Sequence, residues 1–243
     1  MSSSVRLPAL TDTSQSPIAV EFQRRAHRQR LRARFTEGGA AAVPDYELLE
    51  MMLYRAIRRG DTRALSKQLI ERFGDLNRVL AASPERLHEV EGVGAQVIFE
   101  LKLMEAVGHR MARARVLNKP ILSSWHALLE YCRITLAHRD LEVFHVLYLD
   151  RKNVLIADEA QGEGTVDHVP VYPRKVIKRA LELNASALIL VHNHPSGDPT
   201  PSRSDIDMTY AIRDAAEVLG LVLHDHLIIG KARELSLRSE GYL

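Results

Sequence analysis

Cysteine is almost absent from this sequence, since Cys132 is the single cysteine among 243 residues. One cysteine excludes an internal disulfide and any metal site built from several thiolates, and it is typical of a reducing compartment. Long apolar runs are lacking as well, because none approaches the roughly 18 residues of a membrane span. The first residues do not show the charged-then-apolar pattern of a secretory signal. We therefore expect a cytoplasmic protein that does not contact a membrane.

An excess of either charge is also missing, with 33 Lys and Arg against 31 Asp and Glu and a formal net charge of +2. Bulk charge of this size does not predict a nucleic-acid binder. Hydrophobic residues make up 46% of the chain, which is enough for a packed core, and the length suits one large domain or two small ones. Any contact with nucleic acid must therefore come from a local cluster of basic residues.

The character of the sequence changes along the chain, which predicts two domains. Residues 1–20 are rich in Ser, Thr and Pro and are expected to form a disordered tail. Apolar residues at helical intervals predict only helices over residues 21–113, and Pro120 marks a linker at residues 114–122. Helical stretches alternate with strand-like runs over residues 123–243. The expected fold class is α+β or α/β, with a small helical domain followed by a mixed β-sheet flanked by helices.

The stretch EFQRRAHRQRLRARF, at the start of the helical domain, contains six arginines. Most stretches of this kind are solvated faces of helices. The alternative is contact with phosphate groups, which would make the affinity for the ligand depend on salt.

A second candidate contact with DNA lies in LHEVEGVGAQVIFEL, where Gly92, Val93 and Gly94 separate two helical segments. Glycines at such a turn expose successive backbone N–H groups that can hold a phosphate oxygen. The pattern is similar to the helix-hairpin-helix motif, which binds DNA backbones without reading the sequence. Ile98 stands where that motif usually has alanine, and a plain turn between helices explains the glycines equally well.

The stretch HNHPSGDPTPSRSD, residues 192–205, predicts a metal site. It follows the apolar run SALILV, which is typical of a buried strand that ends before Pro195. Because side chains alternate along a strand, His192 and His194 project to one side and Asn193 to the other. Two imidazoles in phase at the end of a strand favour a metal site over an ordinary polar strand end.

Ser202 and Asp205 follow at a spacing that has two interpretations. A Ser-x-x-Asp pattern before a helical run resembles a capping box, in which both side chains bond to the backbone at the start of the helix. A carboxylate in the first turn can instead turn toward a cation held by the neighbouring strand. We predict that Asp205 is a ligand and that the helix start fixes the Ser202 hydroxyl.

The predicted ligands are therefore His192, His194 and Asp205, and catalytic zinc commonly takes three protein ligands and one water. Iron also accepts two histidines and a carboxylate, but the helical flanks argue against the β-barrels that often hold such iron sites, so Zn²⁺ is preferred. A hydrolytic site also needs a general base. The candidates are Glu159 and Glu163, and we prefer Glu159 because it shares a strand face with apolar neighbours.

An upstream glutamate, His-x-His-Pro and Ser-x-x-Asp together resemble the JAMM motif of MPN+ domains. The longer stretch VYPRKVIKRALELNASALILVHNHPSGDPTPSRSDI, with LHDHLIIG after it, resembles the RadC-like family. The resemblance implies an MPN (JAMM) fold for the second domain and cleavage of peptide or isopeptide bonds. It also implies that zinc binds to His192, His194 and Asp205, that Glu159 activates water and that Ser202 stabilises the oxyanion. A later histidine pair, His224 and His226, is placed outside the ligand set.

Three functions compete at this stage. The first is a zinc metallohydrolase acting on an amide bond of a protein or peptide. The second is a DNA-binding accessory protein of repair or recombination with a structural or vestigial metal site. The third, a metal-dependent nuclease, is weaker because a single His/His/Asp site lacks the paired-metal carboxylates common in such enzymes.

Overall fold

The computed structural model of the chain describes residues 17–117, 119–163 and 171–243. Residues 1–16 of the expected disordered tail lie outside this range. Residues 17–20, assigned to the same tail from sequence, form the first turn of a helix. Among the described residues, no helix is both long and apolar enough to cross a bilayer.

Over the described residues 17–117 the chain forms six α-helices, as the helical periodicity predicts. Asp61 caps the third of them, since its side chain accepts hydrogen bonds from the backbone N–H groups of Arg63 and Ala64. Gly74 ends the same helix at a φ of 103°, a conformation that favours glycine. The helices are α1 (Pro17–Gly38), α2 (Asp45–Ala56), α3 (Thr62–Phe73), α4 (Leu76–Ala81), α5 (Pro84–His88) and α6 (Ala95–Val116).

The described chain forms two compact units. The first consists of residues 17–79 and 88–100, and the second of residues 80–87 and 101 onward. Helix α6 therefore belongs to both units, whereas sequence placed the boundary at the linker 114–122. That linker is also not a free connection, because Val116 and Ile121 are fully buried in the core of the second unit.

Within the described residues, five strands form one mixed sheet in the order β2-β1-β3-β4-β5. Strands β3 and β4 are parallel, and every other neighbouring pair is antiparallel. All residues of β3 are buried, as its apolar sequence predicts. The strands are β1 (Val143–Leu149), β2 (Leu155–Glu163), β3 (Ala187–Asn193), β4 (Val222–Ile229) and β5 (Glu234–Ser236).

Three further helices cover the two faces of this sheet. Helix α7 (Trp125–Leu136) packs on one face, against residues such as Ile189 and Val191. Helices α8 (Pro173–Glu182) and α9 (Arg203–Val218) contribute to the core on the other face. The expected fold class, a helical region followed by a mixed sheet flanked by helices, is confirmed. Helix α9 connects the parallel strands β3 and β4, so a single loop runs from the end of β3 to the start of α9.

Candidate metal centre

Strand β3 places His192 in the middle of the sheet. Its Cα pairs with Phe144 on β1 and with Ile228 on β4, and its side chain is completely buried. The Phe144 ring stacks on the imidazole at a centroid distance of 5.9 Å. A histidine enclosed in this way costs free energy unless its two ring nitrogens find partners.

The structure brings His192, His194 and Asp205 together as a group in which one potential ligand atom of each lies within 4.8 Å of the others. The Nε2 atoms of His192 and His194 are 3.0 Å apart. The Asp205 carboxylate oxygens lie 3.5 Å from His192 Nε2 and 3.6 Å from His194 Nε2. Ligands at about 2.05 Å from a tetrahedral zinc are separated by roughly 3.3 Å. The three separations are therefore close to the edges of such a tetrahedron.

A buried chain of hydrogen bonds decides which nitrogen of His192 faces this group. His192 Nδ1 lies 2.7 Å from His226 Nε2, and His226 Nδ1 lies 2.6 Å from the Thr209 hydroxyl oxygen. That hydroxyl donates its one hydrogen to the Asp205 carbonyl oxygen at 2.5 Å. His226 Nδ1 must then carry a hydrogen, and so must His192 Nδ1. The Nε2 atom of neutral His192 is left with a bare lone pair.

The same reasoning applies to His194. Its Nδ1 lies 2.7 Å from the Asp198 carbonyl oxygen, which can only accept a hydrogen bond. The Nε2 atom of neutral His194 therefore also presents a lone pair. Two lone pairs and a carboxylate converge at one point, an arrangement that a cation satisfies and that neutral groups alone do not. Protein histidines that bind metals have their second nitrogen fixed in this way.

The position of Asp205 is compatible with both roles that its sequence spacing allows, helix capping and metal binding. Ser202 and Asp205 form a complete capping box at the start of α9, with the Asp205 side chain accepting from the Ser202 backbone N–H at 2.7 Å. The Ser202 hydroxyl also donates to the same carboxylate oxygen at 2.6 Å. These bonds fix the carboxylate in the position where it faces the two histidines.

The electrostatics of the group follow from burial and mutual contact. Burial lowers the pKa of His192 to about 4, against the attraction of Asp205. The neighbouring Asp205 carboxylate raises the pKa of His194 despite burial of that ring. Burial alone would raise the pKa of Asp205, but His194, His192 and Ser202 together lower it well below its ordinary value. Asp205 is therefore ionised at the point where the two imidazole nitrogens converge, and its charge favours a positive charge there.

Glu159, the general base predicted from sequence, lies on β2 and away from the histidines in register. It pairs with Val146 of β1, which pairs with Leu190 of β3, two residues before His192. With standard strand spacings, the Cα atoms of Glu159 and His192 are about 12 Å apart. The Glu159 carboxylate binds the Arg179 guanidinium in a bidentate pair at 2.7 and 2.9 Å. The side chain of the alternative, Glu163, lies outside what the structure describes.

Glu142 is a carboxylate close to the group that the sequence reasoning missed. It immediately precedes β1 and is 8% exposed. The side chain of Asn193, at the end of β3, binds the backbone on both sides of it, accepting from Val143 N at 2.9 Å and donating to Leu141 O at 3.1 Å. The negative charge of Glu142 adds to the larger effect of Asp205 in raising the pKa of His194. The signal for it was a glutamate at the start of a strand that pairs with the histidine strand.

The two histidines of the second pair, His224 and His226, have different surroundings. His226 is completely buried and contacts His192, so it acts on a predicted ligand through a hydrogen bond. Burial lowers its pKa well below the ordinary value, which keeps the ring neutral and able to accept from His192. His224 instead lies 2.6 Å from the Asn153 side-chain oxygen, away from the group.

The predicted DNA contact at Gly92, Val93 and Gly94 forms a turn between α5 and α6. Gly92 has a φ of 84°, and both glycines are exposed. Val93 is buried, and its backbone N–H donates to the Val90 carbonyl oxygen at 3.0 Å, as in a structural turn. Any backbone contact with phosphate at this turn would therefore fall to the two exposed glycines.

Comparison with known proteins identifies the chain's relatives. A family model described as "RadC-like JAB domain" matches residues 122–242, and another described as "UPF0758 N-terminal" matches residues 23–98. A UPF0758 protein of Ruegeria pomeroyi is 69% identical over 219 residues, which cover 90% of this chain and 98% of the relative. The chain belongs to the RadC-like UPF0758 family. A UPF0758 protein of Rhodobacter capsulatus is 66% identical over 213 residues, covering 88% of this chain and all of that relative.

Membership in the UPF0758 family confirms the resemblance that the sequence motifs indicate. The JAB match covers the sheet and its helices, and so it contains His192, His194, Asp205 and Glu142. The second match covers most of the helical region and ends within α6. Both parts of the chain are therefore features of the family.

Proposed function

We propose that this protein is a zinc-dependent hydrolase of JAMM type that cleaves a peptide or isopeptide bond. The observation that carries the proposal is the convergence of two bare imidazole nitrogens and one carboxylate at spacings close to those of a zinc tetrahedron. The donor set of two nitrogens and one oxygen fits zinc and leaves one position for water. When bound, zinc would lower the pKa of a coordinated water to about 7.

The residues of the chain would divide the remaining work. His226 and Thr209 hold His192 in the tautomer whose Nε2 is free to bind metal, and the Asp198 carbonyl does the same for His194. We assign the general base to Glu142, which immediately precedes β1, two residues before the Phe144 that pairs with His192, and whose charge acts on His194. Glu159 keeps its place as the base predicted from sequence, but in that role it would have to leave Arg179.

Ser202 is proposed to stabilise the oxyanion of the substrate. Its hydroxyl lies at the start of α9, where the backbone N–H groups also favour negative charge. The hydroxyl is bound to Asp205 at 2.6 Å, so it would reorient toward a substrate oxygen. We expect the Ser202 hydroxyl to contribute to catalysis only after the substrate is bound.

The test separates metal binding from catalysis and one base from the other. Purified wild-type protein, Glu142→Gln, Glu159→Gln and His194→Ala are compared for zinc content by elemental analysis. Each is then added to a lysate of cells lacking the protein, and new N-termini and released isopeptide branches are counted by mass spectrometry. We expect one zinc per chain in all but His194→Ala, and cleavage lowered at least 100-fold in Glu142→Gln, the lower end of the range of roughly 10²- to 10⁴-fold for a general base.

The control is Glu159→Gln, which should cleave like the wild type if Glu142 is the base. Loss of cleavage in Glu159→Gln alone would return the role to Glu159 and leave the hydrolase intact. The proposal as a whole fails if the wild type binds no stoichiometric zinc, or if both glutamine variants produce the same new termini as the wild type.

The nuclease alternative is less well supported. Over residues 17–117, 119–163 and 171–243, the structure has one group of three or more close metal-ligating side chains. Nucleases with two metals place their ions about 3.5–4 Å apart and need carboxylates for both. A single three-ligand group is better suited to activating one water.

A further inference from the structure

A cleft of about 490 Å³ lies between α1 and the loop that follows α2, within the first unit. Nine residues line it, and six of them are arginines: Arg24, Arg25, Arg28, Arg32, Arg58 and Arg59. Glu21 is its single acidic lining residue among those nine. Six guanidinium groups against one carboxylate leave five uncompensated positive charges around one concave surface.

Two of these arginines build the wall of the cleft. Arg28 donates to the carbonyl oxygens of Ile57 and Arg58, at 3.0 and 3.1 Å, and lies over the Tyr54 ring. It thereby fixes the loop after α2 against α1. Arg25 pairs with Glu21 one turn earlier on α1, at 3.3 Å. The shape of the cleft is thus set by contacts within the protein.

The remaining arginines are not neutralised. In the part of the chain that the structure describes, Arg24, Arg58 and Arg59 form no ion pair. The buried carboxylates nearby are already engaged. Glu50 accepts from Tyr54 and Thr62 and contacts His27, while Glu47 pairs with Arg34. Crowding like charges costs free energy, which a bound polyanion recovers.

The chemistry of the lining selects phosphate. A planar guanidinium group can donate hydrogen bonds to two phosphate oxygens at once, and this geometry favours phosphate over a ligand that offers a single charged atom. Arg24, Arg28 and Arg32 follow one another at i, i+4 and i+8, so they share one face of α1 over about 12 Å. One strand of a nucleic acid carries a phosphate about every 3.4 Å of its axis, and so this face spans three or four of them.

The residues that line the cleft are poorly suited to recognising bases. None of its nine lining residues is aromatic, and Tyr54, which lies against Arg28, is 7% exposed and offers no face for stacking. We propose that this cleft binds the phosphodiester backbone of a nucleic acid without reading its sequence. The cleft shares no residue with the turn at Gly92–Gly94 or with the metal centre, and the proposal does not depend on the proposed hydrolase activity.

The experiment measures binding of the full-length protein to a fluorescein-labelled 20-base-pair duplex by anisotropy, in 50 to 300 mM salt. The test variant is Arg24→Gln/Arg59→Gln, which leaves the wall residue Arg28 in place. The charge-matched control is Arg110→Gln/Arg151→Gln, two exposed arginines outside the cleft. Arg24→Lys/Arg59→Lys keeps the charges but loses the fork. Unlabelled tripolyphosphate is the competitor for a small phosphate ligand.

We expect the wild type to bind duplexes of unrelated sequence equally, with an affinity that falls steeply as salt rises. The glutamine variant should bind at least tenfold more weakly, with the slope of log affinity against log salt lowered by about two. The control should match the wild type, and the lysine variant should keep the wild-type slope. Equal binding by the glutamine variant and the control overturns the proposal. So does tighter binding of tripolyphosphate than of duplex, which would make the ligand a free polyphosphate.

Discussion

Thr209 has one hydroxyl hydrogen and two acceptors within reach, the Asp205 carbonyl oxygen and His226 Nδ1. Which of them receives the hydrogen determines the tautomer of His226 and, through it, that of His192. A helical threonine commonly donates to the carbonyl one turn before it, and this local preference sets the direction of the chain. A single hydroxyl, not itself a ligand, thus determines whether His192 presents a lone pair to a metal.

Replacing this hydroxyl should weaken zinc binding. Thr209→Val has nearly the same shape but leaves His226 Nδ1 without an acceptor, and loss of such outer partners typically costs 10- to 100-fold in metal affinity. Thr209→Ser keeps the hydroxyl and should bind zinc as the wild type does. Competition with a chromophoric chelator measures the dissociation constants, and equal values for the valine and serine variants would contradict the proposed role.

The sequence allowed the group of His192, His194 and Asp205 to be predicted, but not the nearby carboxylate of Glu142, and the reason is geometric. His192 and His194 are separated by one residue at the end of one strand, and Asp205 lies in the first turn of the next helix, so local periodicity places all three. Glu142 lies 50 residues before His192, and only the pairing of β1 with β3 brings it close. Choosing between Glu142 and Glu159 required the order and register of strands, which side-chain patterns do not contain.

At the scale of elements, the turn after β3 is pressed against the end of β4. A Cβ atom on Gly230 would lie 2.4 Å from the Gly197 carbonyl oxygen and 2.8 Å from that of Arg233. Glycine is therefore required here for close approach of two backbones. The same turn carries the Asp198 carbonyl that orients His194.

Gly230→Ala should consequently lower both stability and zinc affinity. The added methyl group must displace the backbone of the turn, at a cost of about 1–3 kcal/mol in the free energy of unfolding. Gly108→Ala is the control, because Gly108 lies within α6 and a Cβ there meets nothing within 4 Å. Urea titrations and chelator competition give the two quantities. A Gly230→Ala protein as stable as the control would show that the turn can move freely.

Element types were more predictable than their limits. The buried run before Pro195 and the Ser-x-x-Asp spacing at Ser202 predicted a strand and a helix start, because both signals are local. Helix α1 begins at Pro17, earlier than the composition of the tail indicates, and α6 continues to Val116 beyond the expected boundary. Packing in the second unit extends α6 into the region that Pro120 marks as a linker, and such tertiary effects leave no local pattern.

At the scale of the whole molecule, the buried histidines make stability depend on pH. His192 has a pKa of about 4 in the folded protein, and that of His226 is also lowered, whereas an unfolded histidine titrates near 6.5. The unfolded chain therefore binds more protons between these values. The stability contributed by both groups is complete above pH 6.5 and is lost as the pH falls toward 4. His194, whose pKa is raised, contributes in the opposite sense and partly offsets the loss.

Metal-free protein should accordingly unfold more easily at pH 5 than at pH 7. His192 alone would contribute about 3 kcal/mol over the full range, as an upper figure for one buried group. Urea unfolding of chelator-treated protein at several pH values tests this, and His226→Gln, which removes one titrating group, should show a smaller decrease. A free energy of unfolding that stays constant from pH 7 to pH 5 would disagree with neutral, enclosed imidazoles.

The double role of Asp205 bears on how the centre should be probed. Because the same carboxylate closes the capping box of α9, replacing it by asparagine or alanine disturbs the first turn of that helix along with the donor set. Loss of activity in an Asp205 variant would thus combine two effects, the loss of a metal donor and the disturbance of the helix start. His194, at the rim of the group and outside every helix, offers the cleaner deletion, and a comparison of the two variants would measure how far an ion and a helix end depend on one another.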